Sequence, residues 1–570
     1  YLSANITTAE ELFDTVIEKS KNELERAAVY GLKVTLYAGV GKYKEAVHTG
    51  IHSLRRLGVR IPTDPTKFDY LMELLKYKWQ MFNRNIESLE NLHEMRKPEQ
   101  VKVADLLSRM ASVTMSSHPN LYSFLILKAG NYAVKHGNTE MTCVGYLGYG
   151  ITEGSVLGNY KEGEEYAKVA LNLVEKFGKS SSKCIIYFVI GSLVLHWTQP
   201  AELCLKYLDK AAQAGIEAGD LLITGYSHCL LLEDQYIMGA RLPDILEEVR
   251  RKREIASRIK HDNLSINVEL YESTVNALMG INGCELPDAA EILNNEHLVS
   301  LVKKDQSSLA TWHIRKMQLY YFLTDHRNAL AESEKIQNLM GAIFGFLLQS
   351  ECVFYHSLII TAMYRNFSPK ERKHYRKILK NNHKQLKKWA ESCRENFEDM
   401  YLLVSAEIAR INNRKEQAMQ LYDRAIQAAR EYRHVNNEAI ANELAAQYYL
   451  SEGHSRIAGA YMDDACRCYM RWGAYAKARQ IKSRYPDLTG EVIVEEYSGY
   501  RKNKYTGIPK IKREDSDSTV TGSGTSSGSV DLYRLDRIIE DIYSEPDINK
   551  LLTRFIDIAI RSIGANRGYL

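Results

Sequence analysis

Proline is scarce, with 11 in 570 residues, and alternating runs of Val and Thr are scarcer still. A sandwich or barrel needs many short alternating strands set off by turn residues, so these absences leave a mostly helical chain. An excess of charge of one sign is also missing. Seventy-five Lys and Arg against 71 Asp and Glu leave +4, which gives no case for a nucleic-acid partner. No apolar run approaches the ~20 residues that span a bilayer. The nine cysteines are scattered singly, apart from Cys466 and Cys468. Two residues apart on a helix is a rotation of about 200°, so those thiols face opposite ways and cannot share a metal. Free thiols in a reducing cytoplasm are the reading. The 16 histidines contain no HExxH, and no Cys-x-x-Cys accompanies them.

Small residues at recurring spacings are what the sequence does have. A tetratricopeptide unit is a pair of antiparallel helices of about 34 residues, with small residues where the helices cross. Tyr37, Gly41, Tyr43, Ala46, Gly50 and Ser53 fit one unit, with its turn at Gly41. Gly158, Tyr160, Gly163, Ala167 and Ala170 fit a second. Ala406, Ala409, Ala418, Tyr422 and Ala425 fit a third, and Ala446, Tyr449, Gly453, Ala458 and Ala465 a fourth. The turns at Asn413 and Gly453 lie 40 residues apart, so the repeats are irregular and their helices extended. Ser368-Pro369-Lys370-Glu371 predicts a helix start, with Ser as N-cap, Pro at the first position and Glu at the third. Tyr375, Ile378, Leu379, Leu386 and Trp389 then share one face. The fold class is all-α: a tetratricopeptide-like solenoid over residues 1–490. It ends near Tyr485-Pro486. Residues 491–530 read as a linker, first basic (Arg501 to Arg513) and then flexible. Twelve of the fifteen residues from Ser516 to Val530 are Ser, Thr or Gly.

Motifs for chemistry are absent or fail in context. Gly178-Lys179-Ser180 would end a phosphate loop only if Gly stood at 173, where Leu173 stands, and only after a strand. Gly145, Gly148 and Gly150 have the wrong order for a dinucleotide fingerprint, so they predict close helix packing. Lys370 to Lys388 is basic but alternates with an apolar face, which makes it a solvated helix surface. His196-Trp197 before Pro200 is a structural helix end. No catalytic residue, cofactor-binding residue or metal ligand is assigned. If the solenoid binds something, its first helices carry it, and the last two repeats then present Leu403, Glu407, Arg410, Glu443 and Gln447.

The last forty residues hold two more apolar stripes, Ile538, Ile539 and Ile542, then Leu551, Leu552, Phe555, Ile556, Ala559 and Ile560. Gly564 to Gly568 lead into a strand at Tyr569-Leu570, where the chain stops. This ending, with Ile548 to Leu552 and Ile563 to Gly568, resembles the opening of a GAF domain. It is similar to that of a family of bacterial multidomain sensor histidine kinases. The repeat region resembles the same family at Leu386 to Ala390, Glu395-Asn396-Phe397, Asn437 to Ala439, Asn442 to Ala445 and Arg471 to Ala474. It also does so at His196-Trp197 and Leu242-Pro243 to Glu247.

The resemblance implies a parent protein with a serine/threonine-kinase-like domain, an AAA-type ATP-binding domain, helical repeats, a GAF domain and a histidine kinase. It implies ATP and Mg for that parent and no cofactor for this segment. Residues 531–570 would be the leading helices and first strand of an α/β GAF domain. The expected function is a non-catalytic regulatory segment in a cytoplasmic kinase of a two-component system. Its partners would be neighbouring domains of the same protein and a peptide or protein on the solenoid. The downstream histidine kinase could supply a homodimer. No nucleic acid and no membrane span are expected. The alternative is a free-standing solenoid that recognises a peptide or small ligand.

Overall fold

A computed structural model describes residues 6–82, 84–177, 180–281 and 293–489, and every regular element among them is a helix. An isolated bridge between Glu94 and Asn138 is the one sheet-like pairing there. The chain divides into two units, Tyr1–Glu496 and Tyr497–Leu570. The second lies outside the described residues, as do the linker expected over 491–530 and the GAF-like piece expected over 531–570.

The first unit is built of helices mostly 14–18 residues long, joined by short turns. Gly41, Gly158, Asn413 and Gly453 occupy such turns with φ of 74°, 78°, 56° and 85°. This left-handed conformation is open to Gly at no steric cost and to Asn at little. The residues expected at helix crossings are in the core. Ala46, Ala167, Ala418, Ala425, Ala458 and Ala465 are buried, as are Tyr160 and Tyr422. Tyr37 and Tyr43 pack partly buried against the same cores. A Cβ on Gly50 would lie 1.9 Å from Met110 Sδ, so the Tyr43–Arg56 helix runs close to its neighbour and a larger residue there would displace the Met110 side chain.

Gly145, Gly148 and Gly150 pack as expected. The helix Thr142–Ile151 runs so close to its neighbours that Cβ atoms on these glycines would come within 2.7, 2.5 and 2.9 Å of other backbone atoms. The residues before Gly178 form the helix Tyr160–Phe177 and not a strand; Gly178 and Lys179 themselves lie outside the described residues. The helix Pro369–Ser392 begins with the expected capping box between Ser368 and Glu371, a device worth about 1 kcal/mol.

Packing is not confined to successive repeats, unlike an ideal solenoid. Trp197, in a 3₁₀ turn at Leu195–Trp197, stacks on Trp389 and Phe397 at centroid distances of 5.1 and 5.7 Å. Asn396 donates to the carbonyls of His196 and Gln199 at 2.7 and 2.9 Å and accepts from the amide of Ala201 at 2.9 Å. Asn436 donates to Ile237 O at 3.2 Å. A Cβ on Gly473 would lie 2.7 Å from Pro243 Cδ. Helices near residues 200–280 therefore pack on helices near 390–480. His196-Trp197 thus meets Trp389 and Asn396-Phe397, and Leu242-Pro243 meets Gly473.

Candidate interaction cleft

The helices Arg394–Ile411, Val435–Ser451 and Tyr475–Arg484 bound a cleft of about 270 Å³ with the turns at Thr324 and Asn413. Glu407, Arg410, Glu443 and Gln447 line it together. Two helix positions of the third unit and two of the fourth thus share one opening, as the helical register requires of residues three or four apart.

Leu403 corrects the sequence-based expectation. It lies one turn before Glu407, yet it is 1% exposed and belongs to the apolar core. The Leu348–Met363 and Pro369–Ser392 helices pack against its helix, and Leu403 joins the apolar core while Glu407 and Arg410 line the opening.

All three carboxylates in the cleft lining, Glu407, Glu443 and Glu452, are engaged. Glu407 accepts from Arg410 Nε at 2.9 Å and from the Tyr422 hydroxyl. Burial alone would raise its pKa, but the Arg410 charge and these hydrogen bonds outweigh it and hold the carboxyl below its ordinary range. Glu443 accepts from Lys477 Nζ at 2.9 Å, from Tyr469 at 2.7 Å and from Gln447 at 3.3 Å. Lys477 also donates to Phe322 O at 3.0 Å. At the rim Lys415 pairs with Glu452.

The uncommitted groups are therefore cationic or polar. Arg365 and Arg414 are exposed in the lining and make no ion pair with a described acidic residue. His326 has no hydrogen-bond partner at Nδ1. Burial, reinforced by Lys477, lowers its pKa, so it is neutral at pH 7. Such a lining suits an anionic group presented with some apolar surface. Sequence reasoning missed Arg365, Arg414, His326 and Lys477. Arg365 and Arg414 lie in turns, His326 opens the His326–Ile336 helix and Lys477 lies on the Tyr475–Arg484 helix, so no single helical period joins them.

Residues 333–463 match the family model described as "CHK1-like, TPR repeats". That stretch is a tetratricopeptide-like repeat region. It contains the Glu407–Arg410 and Glu443–Gln447 walls of the cleft. A 60-residue stretch, 10% of this chain, is 35% identical to hybrid signal transduction histidine kinase G of Dictyostelium discoideum. The chain spans about 2% of that relative's length. A solved circular tandem repeat protein with novel repeat topology aligns over 85% of this chain and 96% of its own. Its identity is 11% and its TM-score 0.14. Among the described residues no helix is long and apolar enough to cross a membrane.

Proposed function

We propose that this chain is a regulatory interaction segment of a signalling kinase, and that the repeat region receives an acidic peptide or domain surface in the Glu407–Glu443 cleft. The observation that carries the reading is the pairing pattern inside the cleft. Its carboxylates are neutralised by Arg410 and Lys477, while Arg365 and Arg414 remain free in the lining. The repeat-family match supports a protein-interaction role. The likeness to a histidine kinase, though short, and the GAF-like ending support a place within a signalling kinase. Coupling to upstream ATP-binding and downstream sensor domains is the part of the proposal that rests on resemblance alone.

Fluorescence anisotropy with labelled acidic, neutral and basic peptides tests the cleft. Saturable binding of acidic peptides, weakened about tenfold or more by Arg365→Glu with Arg414→Glu, is the expected result. Equal binding of all three peptide classes, or no effect of the paired substitution, would defeat the assignment.

A further inference from the structure

The helix Lys67–Met81 is apolar on two faces. One face is in the core. Leu74 and Tyr77 pack inward, and the buried Glu73 accepts from Lys128 and Asn131 of the Pro119–His136 helix at 3.0 and 2.8 Å. The other face carries Phe68, Met72, Leu75 and Trp79, and Phe82 follows on the same line. These residues are 68%, 40%, 54%, 80% and 76% exposed. A helix apolar on two faces belongs between two partners, and among the described residues only one face is covered.

The spacing of the outer stripe identifies the kind of partner. Its intervals are four, three, four and three residues. That is the 3.5-residue period of a seam packed against another helix. The charges beside it argue against a lipid surface. Lys76 is held by Glu73 at 2.7 Å and Lys78 by Glu153 at 2.5 Å, so neither is free to meet anionic headgroups.

We infer that the exposed Phe68–Phe82 stripe is a dimer interface, in which the Lys67–Met81 helix packs antiparallel on the same helix of a second copy of this chain. The stripe is nearly self-complementary. Phe68 and Phe82 lie seven residues either side of Leu75, and Met72 and Trp79 lie three and four. A two-fold axis at Leu75 lays each Phe68 on the second copy's Phe82 and each Met72 beside its Trp79, a favourable sulfur–aromatic contact. The area is adequate. At 150–250 Å² per aromatic side chain, the three aromatics supply about 450 Å². With Met72 and Leu75 the pair of copies would bury about 1,200 Å², the lower bound for a specific interface.

Sedimentation velocity of the full chain from about 1 to 100 μM tests this. The expected result is a concentration-dependent dimer, with Leu75→Glu and Trp79→Glu each raising the dissociation constant about 100-fold. Ile457→Glu, at an exposed position far along the chain, should leave it unchanged. Leu75→Cys should cross-link to itself under mild oxidation, because the axis passes through that position, whereas Phe68→Cys should not. Circular dichroism of each variant separates lost association from lost fold. A monomer at every concentration overturns the inference. So does a dimer that survives both Glu substitutions, or a monomer that sediments with phosphatidylserine vesicles only when Trp79 is intact.

Discussion

Trp197 and Trp389, nearly two hundred residues apart in the chain, stack with ring planes 19° apart and both indoles buried. Tyr160 also stacks on Trp197, at 5.5 Å. The contact joins helices that are not successive repeats, so it fixes the path of the array and not the pitch of one unit. Trp389→Ala should destabilise the first unit by about 3–5 kcal/mol, and Trp389→Phe by less. Urea denaturation followed by circular dichroism measures both. A loss below about 1 kcal/mol for the alanine variant would mean the two halves are held by other contacts.

Ala418 and Ala458 are each fully buried on the second helix of a repeat. Leucine at either position adds a branched side chain where another helix already stands. Each substitution should cost roughly 1–3 kcal/mol through overpacking. Thermal melts that show no loss in both variants would refute the repeat register.

Glu233 is buried beside Tyr271, whose hydroxyl donates to its carboxylate at 3.3 Å. Burial pushes its pKa up to about 7, against the partial relief that Arg315 provides. Below about pH 4.5 the carboxyl is protonated in both folded and unfolded chains, and no penalty arises. Between that pH and 7 the unfolded chain releases the proton while the folded chain keeps it, so stability falls as pH rises. Glu233→Gln removes this dependence. Relative to the parent, the variant should gain about 3 kcal/mol between pH 4.5 and 8, at about 1.4 kcal/mol per unit. Urea titrations at the two pH values measure the gain, and a constant difference would show that Glu233 titrates as an exposed carboxyl does.

Turn glycines and small crossing residues made the repeats legible, because φ > 0 and close helix approach restrict residue type at single positions. Gly41, Gly158, Asn413 and Gly453 are such positions. Thr324 and Arg433 adopt φ of 64° and 63° in equivalent turns, and nothing in their residue type announces it. The cleft was legible only in part. Glu407, Arg410, Glu443 and Gln447 follow from the helix period, but Leu403 shares that period and is buried. Burial depends on which distant helix covers a face, and the period of one helix does not carry that. The outer stripe of the Lys67–Met81 helix was readable in its spacing, but apolar residues line both faces, so only the fold shows which face is left uncovered.

The Arg315–Glu351 ion pair provides the last test, because its sign separates a stabilising network from a compensated burden. Arg315 is fully buried, with its guanidinium 4.7 Å from the Tyr236 ring centroid and 5.5 Å from that of Tyr271. It donates to Glu351, which is also buried, and to Gln318 at 2.9 Å. Gln318 in turn donates to the Tyr355 hydroxyl at 2.9 Å and accepts from Tyr236 at 2.8 Å. Removing one charge leaves the other desolvated and unpaired, so Arg315→Met alone should cost about 3–5 kcal/mol. It should also push the Glu233 carboxyl higher, since Arg315 is the cation that partly offsets its burial. Replacing both members, as Arg315→Met with Glu351→Leu, removes the desolvation penalty along with the attraction. The double variant should therefore be more stable than Arg315→Met alone, by about 1–4 kcal/mol. A double-mutant cycle read by urea denaturation decides it. A double variant less stable than the sum of the two single losses would mean that Gln318, Tyr236 and Tyr355 depend on the ion pair for their own hydrogen bonds. The pair would then be the organising element of this core and not a charge the core merely tolerates.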